Sequence, residues 1–304
     1  METATSFVED TLNGVIWNVV PVFLVLAGVY FGVRTLFVQI RLFPEMLKAV
    51  AETPKGKDRE GRDLDEEYGG LSAFKAFTIS AASRVGTGNI AGVALAISIG
   101  GPGAVFWMWM LALLGGATAF VESTLAQLWK TKDAEGNYHG GPAYYMTRGL
   151  GWKPLAVIFS AFLAVTYGFV YNAIQTNSIV EAVGGSLGTD SVVLKGVVAA
   201  VIATLTALVI FGGVTRIASW TQVIVPFMAG AYILLGLAVL VINWREIPGM
   251  VEMIVGHALG LEQVVGAGVG AAFMQGMRRG LFSNEAGMGS APNAAATATV
   301  SHPV

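Results

Sequence analysis

Cysteine is absent from the sequence, so disulfides and thiolate metal sites are excluded. The 3 histidines, His139, His257 and His302, fall in loops or at span ends without ligand-spaced neighbours, so a metal centre is not expected. Charge is scarce. Asp, Glu, Lys and Arg make up 12% of the chain, and the net charge of -2 offers nothing to attract nucleic acid. The first residues carry Glu2, Glu9 and Asp10 and no Lys or Arg, so no signal-peptide pattern is expected there. Nor does any Asp or Glu occur between Tyr68 and Val121. That gap excludes a dinucleotide reading of Gly86-Thr87-Gly88-Asn89-Ile90-Ala91, whose fingerprint requires a preceding strand and an acidic residue about 20 positions on. No nucleophile, base and orienting group recur at workable spacing, so an enzyme is not expected.

What the chain has instead is apolar surface. Hydrophobic residues make up 54% of it, there are 39 glycines, and the mean hydropathy is +0.64. This is the composition of a lipid-embedded protein, in which small residues let helices approach closely. Apolar runs long enough to span, about 20 residues each, predict an all-α polytopic membrane protein with helices at 15–37, 106–129, 154–183, 191–211 and 217–242 and discontinuous helices at 71–99 and 264–300. Between them lie loops at 38–70, 130–153 and 243–263. Lys and Arg concentrate in the first two of these: Arg41, Lys48, Lys55, Lys57, Arg59 and Arg62, then Lys130, Lys132, Arg148 and Lys153. The positive-inside rule makes these two loops cytoplasmic, and it makes 1–14 and 243–263 extracellular, so the N-terminus faces outward.

Two polar, glycine-rich stretches interrupt this pattern. Arg84 to Gly92 and Arg279 to Gly287 both fit Arg-x-x-x-x-Asn-x-Ala-Gly, and the breaks are expected at Gly86–Asn89 and Gly280–Asn284. Backbone that leaves its helix at membrane depth is tolerated only where it lines a cavity. The first break lies in a helix running outward and the second in one running inward, five spans later, which is the arrangement of an inverted-topology repeat. The chain stops at Val304, soon after the second repeat opens, so it is expected to be a fragment lacking most of that repeat.

A broken helix presents amide N–H groups at one tip and carbonyls at the other, the first suited to an anion and the second to a cation. An amino acid zwitterion carries one of each. Gly86 and Gly88 permit close backbone approach, while Thr87, Asn89, Ser283 and Asn284 add side-chain oxygens suited to a small cation such as sodium. Phe282 would wall the apolar side. Gln175, on one helical face with Tyr171 and Ser178, either meets the ligand or bonds a neighbouring helix. Tyr144 and Tyr145 read as interfacial anchors.

The stretches Ser83–Gly92, Tyr138-His139-Gly140-Gly141-Pro142 and Gly280–Pro292 resemble the alanine/glycine:cation symporter family, a group with the five-plus-five inverted-repeat fold of the bacterial leucine transporter. The resemblance implies that this chain holds a preceding helix, the first repeat and the start of the second. It also implies symport of alanine or glycine with sodium, less often protons, across a bacterial or archaeal plasma membrane, with no cofactor. By the same resemblance, Thr87 and Gly88 meet the substrate carboxylate, Gln175, Phe282, Ser283 and Asn284 line the pocket, and Gly86 and Asn89 serve the sodium. The competing reading is a non-transporting fragment or subunit that completes its fold with a partner chain.

Arg84, Glu122, Arg279 and Glu285, with Arg278, fall inside apolar spans, where an unpartnered charge costs about 2.5 to 3.5 kcal/mol. Arginine does not release its proton at accessible pH, so these groups read as structural ion pairs and not as a proton relay. Replacing Glu122→Gln is accordingly expected to leave the pH dependence of transport unchanged; its loss in a pH-jump uptake assay would mark a relay.

Overall fold

The computed structural model describes residues 13–51, 71–134, 136–261, 268–300 and 302–304. The chain is a helical polytopic membrane protein. Among the described residues, five helices are long and apolar enough to cross a bilayer: Asn13–Arg34, Gly103–Leu128, Lys153–Leu187, Val192–Ile210 and Gly213–Ile242.

In chain order, α1 (Asn13–Arg34) is followed by short α2 (Val38–Arg41) and α3 (Phe43–Ala51), then α4 (Ala73–Arg84), α5 (Thr87–Gly100) and α6 (Gly103–Leu128). A hairpin of β1 (Thr131–Lys132) and β2 (Tyr138–His139) leads to α7 (Pro142–Arg148). Next come α8 (Lys153–Val165), a π-helical turn at Thr166–Val170, α9 (Tyr171–Leu187), α10 (Val192–Ile210) and α11 (Gly213–Ile242). A 3-10 turn at Trp244–Glu246 opens onto α12 (Ile247–Leu259), and α13 (Val269–Asn284) and α14 (Ala291–Ala296) complete the order.

Several boundaries differ from the sequence reading. The first span ends at Arg34 and not at 37, because Leu36 and Phe37 turn left-handed at φ 53° and 50°. The three loops contain structure that their charge pattern hid: α2 and α3 within 38–70, a hairpin and α7 within 130–153, and α12 within 243–263. The start of the last span at 264 lies outside the described residues, and its helix is described from Val269.

Where discontinuous helices are expected, the chain forms two helices on either side of an interruption: α4 and α5, then α13 and α14. Ser72 caps α4 by accepting the Lys75 N–H at 3.3 Å. The first interruption is only Val85–Gly86, and α5 starts at Thr87, shorter than the expected gap through Asn89. The second break was expected at Gly280–Asn284, but α13 continues through Asn284 and the chain opens at 285–290. Left-handed Glu285, Gly287 and Gly289, at φ 52°, 84° and 77°, end the helix there. Gly280 serves packing instead: a Cβ on it would lie 3.2 Å from the Met108 Cα.

The chain divides into two compact units, Met1–Leu47 with Gly88–Glu122 and Tyr232–Gly289, and Lys48–Thr87 with Ser123–Ala231 and Ser290–Val304. In the first, Leu111, Met277 and Leu281 form a buried cluster against which Trp17, Leu24, Val25 and Phe273 pack. The Trp107 and Phe273 rings meet edge to face at 4.8 Å. Gly276 and Gly280, one turn apart, let α13 lie directly on α6, the small-residue contact that replaces hydrophobic association in lipid.

In the second unit α14 packs on α4. Beyond their far ends the chain makes an isolated parallel bridge, with the Leu71 N–H donating to the Thr297 carbonyl at 3.2 Å and the Thr299 N–H to the Leu71 carbonyl at 2.8 Å. Side chains at the end of α6 complete this junction. Gln127 Nε2 donates to the carbonyls of Ala295 and Ala298, and Lys130 Nζ donates to the Ala298 carbonyl at 2.7 Å. Burial pulls the Lys130 ammonium down to about 8, even though a second hydrogen bond, to Gln127 Oε1 at 2.6 Å, favours its charged form. In the adjoining hairpin, the hydrogen bond from His139 holds the Asp133 carboxyl below the usual carboxylate range.

A Cβ at Gly276 would lie 2.5 Å from the Trp107 Cβ and 2.6 Å from the Ala104 carbonyl oxygen, whereas one at Gly270, in the same helix, would meet nothing within 4 Å. Gly276→Ala is therefore expected to destabilise by about 1–3 kcal/mol through overpacking. Gly270→Ala should be neutral or stabilising by up to about 1 kcal/mol, with thermal unfolding in detergent as the measurement for both.

Candidate functional site

In the first unit Gly88–Gly92 of the first motif meets Arg279–Ser283 of the second, and the two run antiparallel. At the start of α5, Gly88 faces Phe282: a Cβ there would lie 2.7 Å from the ring's Cε1. Asn89 accepts a short hydrogen bond at Oδ1 from the Ser283 hydroxyl. One turn on, the Arg279 guanidinium covers Gly92, and at the far end Gly100 lies against Gln275 and Ala271. Rising numbers on α5 thus match falling numbers on α13. Each contact at a glycine exists because the side chain is missing, so this face of α5 is shaped to receive α13.

The pairing sets unlike helix ends together. Gly88 and Asn89 belong to the first turn of α5, where amide N–H groups carry a partial positive charge, and Phe282 and Ser283 belong to the last turn of α13, where carbonyls carry a partial negative one. Neutral oxygens at Asn89 and Ser283 stand between them. Such a surface offers donors for a carboxylate on one side and acceptors for an ammonium or a small cation on the other.

In the second unit, the Thr87 N–H is capped by Gln175 Oε1 at 3.0 Å. The Gln175 carboxamide also fills the space where a Gly86 side chain would stand. The group that approaches Gly86 closely is therefore Gln175. Gln175 thus bonds a neighbouring helix.

Among the charged residues, one serves the backbone directly. Glu122 Oε2 accepts the Gly287 N–H inside the second break at 3.0 Å. Arg279 lies over the Phe282 ring, 5.6 Å from its centroid, as well as against Gly92. Glu285 is buried, only 4% exposed, at the left-handed residue that ends α13. Arg84 closes α4. Asn284 is turned away from Asn89: it sits on Gly115, with its Nδ2 3.5 Å from the Leu111 carbonyl. Sequence reasoning overlooked Gly92 and Gly115 as seats for Arg279 and Asn284; the only signal available was their place in glycine-rich runs.

A family model described as the sodium:alanine symporter family matches residues 1–304. The chain belongs to that family. It is 51% identical over 301 residues to the amino-acid carrier protein AlsT of Bacillus subtilis, a match covering 98% of this chain and 61% of AlsT. To the sodium/alanine symporter AgcS of Methanococcus maripaludis it is 40% identical over 301 residues, covering 97% of this chain and 63% of AgcS. The chain thus spans about three fifths of the length of these relatives.

If the Asn89–Ser283 bond ties α5 to α13, Ser283→Ala should lower thermal stability in sodium-free detergent by about 0.5–1.5 kcal/mol. Ser283→Thr, which keeps the hydroxyl, should retain most of it.

Proposed function

We propose that this chain carries the substrate and ion sites of a sodium-coupled symporter of small neutral amino acids, alanine or glycine, working by alternating access. The observation that carries the proposal is the antiparallel seat of α5 on α13 around Asn89 and Ser283. The N–H groups of the α5 first turn, with Thr87 and Gly88, would take the substrate carboxylate, and the closing carbonyls of α13 would take its ammonium. Phe282 would wall the small side chain. Sodium would be held by the side-chain oxygens of Asn89 and Ser283, because a small hard cation prefers oxygen ligands. The names of the relatives, an amino-acid carrier and a sodium/alanine symporter, point the same way.

The finer fold reading is the five-plus-five inverted repeat of the leucine transporter, with α1 preceding it. It is supported by which halves pair: α5 with α13, and α4 with α14, so each half of the first broken helix associates with the complementary half of the second. The proposed setting is a bacterial or archaeal plasma membrane with the N-terminus outside, resting on the distribution of Lys and Arg among the loops. The ionisable residues are proposed to hold the two breaks in shape and to stay outside the transport cycle.

Proteoliposome uptake of labelled alanine under an imposed sodium gradient tests the proposal, with glycine and glutamine as competitors. The chain is assayed alone and joined to the remaining length of AlsT. Sodium-dependent uptake is expected, with Ser283→Ala raising the sodium concentration at half-maximal rate by about tenfold. Absence of uptake in both forms would overturn the proposal.

A further inference from the structure

The first spanning helix ends in a tight turn that folds the chain back onto its own unit. α1 closes at Arg34, Leu36 and Phe37 turn left-handed, and α2 begins at Val38. The Phe37 N–H donates to the Gly32 carbonyl at 2.7 Å, and Arg41 Nη2 donates to the Thr35 carbonyl at 3.4 Å, so the turn is braced from both sides. Val38 is buried, and Gln39 lies on Gly116 and donates through Nε2 to the Leu113 carbonyl at 3.2 Å. One side of α2 is thus fixed to α6. Residues 34–47 all belong to the first compact unit.

The rest of the segment is apolar and open. Ile40, Phe43 and Leu47 follow one another at helical spacing, three and four residues apart, and are 61%, 56% and 58% exposed. Arg34 and Arg41 are exposed beside them, and neither forms an ion pair among the described residues. Glu45 is the single acidic residue between Arg34 and Leu47.

A segment that follows a spanning helix after so short a turn stays at the membrane surface, where an amphipathic helix lays its apolar face into the boundary between acyl chains and headgroups. At that level a guanidinium meets phosphate, which its planar fork matches. A second copy of the chain would set Arg34 and Arg41 against the same charges, with one Glu45 to offset them, so association of copies through this face is disfavoured.

We infer that the segment 34–47 is a surface anchor for anionic phospholipid of the cytoplasmic leaflet: Ile40, Phe43 and Leu47 enter the acyl boundary, and Arg34 and Arg41 hold the headgroup phosphates. The choice of leaflet follows from the positive-inside orientation, and lipid binding here is independent of the transport reading. In a zwitterionic headgroup the ammonium offsets the phosphate, so the anchor selects lipids that carry net negative charge.

The absence of native cysteine allows a single probe to report on this. Leu47→Cys is labelled with bimane, and the chain is reconstituted in vesicles of phosphatidylcholine with a minor share of phosphatidylglycerol. Bromine, which quenches the probe on contact, is carried either by the phosphatidylglycerol or by an equal amount of the phosphatidylcholine. At low salt, quenching by brominated phosphatidylglycerol is expected to exceed that by brominated phosphatidylcholine about two- to threefold. At about 0.5 M salt the two should converge, because exposed charges are screened. Arg34→Gln combined with Arg41→Gln should remove the excess at low salt and leave quenching by phosphatidylcholine unchanged. The salt comparison needs no arginine variant, so it decides even where the double variant fails to fold. Equal quenching by the two lipids at low salt would overturn the anionic selectivity. Weak quenching by both would show that protein covers the stripe and would overturn the anchor altogether. An excess that persists at high salt or in the double variant would overturn the assignment to Arg34 and Arg41.

Discussion

A peptide group that leaves its helix inside a bilayer has no water to turn to, and every partner it finds must be built into the protein. The two breaks in this chain are organised by that constraint. At the first, the Thr87 N–H is taken by Gln175; at the second, the Gly287 N–H is taken by Glu122. Neither partner is adjacent in sequence, and each comes from a helix of the same compact unit as the amide it serves. Gln175 and Glu122, which look out of place in apolar spans, each hold a backbone amide at a break.

The same requirement explains the glycines. At Gly88 and Gly92 the missing side chain admits Phe282 and Arg279, at Gly86 it admits Gln175, and at Gly276 and Gly280 it admits the backbone of α6. In a soluble protein, apolar burial would supply most of the association energy. Here lipid competes for that burial on equal terms, so contact distance decides, and contact distance is set by absent side chains. The outcome is a seat that brings the amide end of α5 against the carbonyl end of α13, a pair of unlike partial charges.

Much of this was legible in the sequence. The apolar runs locate the spanning helices, and the recurrence of Arg-x-x-x-x-Asn-x-Ala-Gly picks out the residues that meet, since Asn89 from the first copy contacts Ser283 from the second. The recurrence misleads about register. In the first copy the break follows the arginine directly, at Val85–Gly86; in the second the helix continues past Arg279 to Asn284 and opens only where Glu285, Gly287 and Gly289 turn left-handed. A glycine pattern shows where backbone can bend or approach, but only the neighbour decides which. Gly280 lies against α6 and stays helical, while Gly287 has its N–H drawn to Glu122. The loops were misread for a related reason: α7 and α12 are short, and their ends carry charge, so a span-length window cannot register them.

The central claim is that the two interrupted helices face each other through Asn89 and Ser283. Because the natural sequence has no cysteine, one engineered pair reports on it without background. Asn89→Cys with Ser283→Cys, treated with oxidant or a short bis-thiol reagent in native membranes, is expected to keep the two fragments joined after the chain is cut between β1 and β2. Fragments that separate as readily as those of either single cysteine variant would contradict the account.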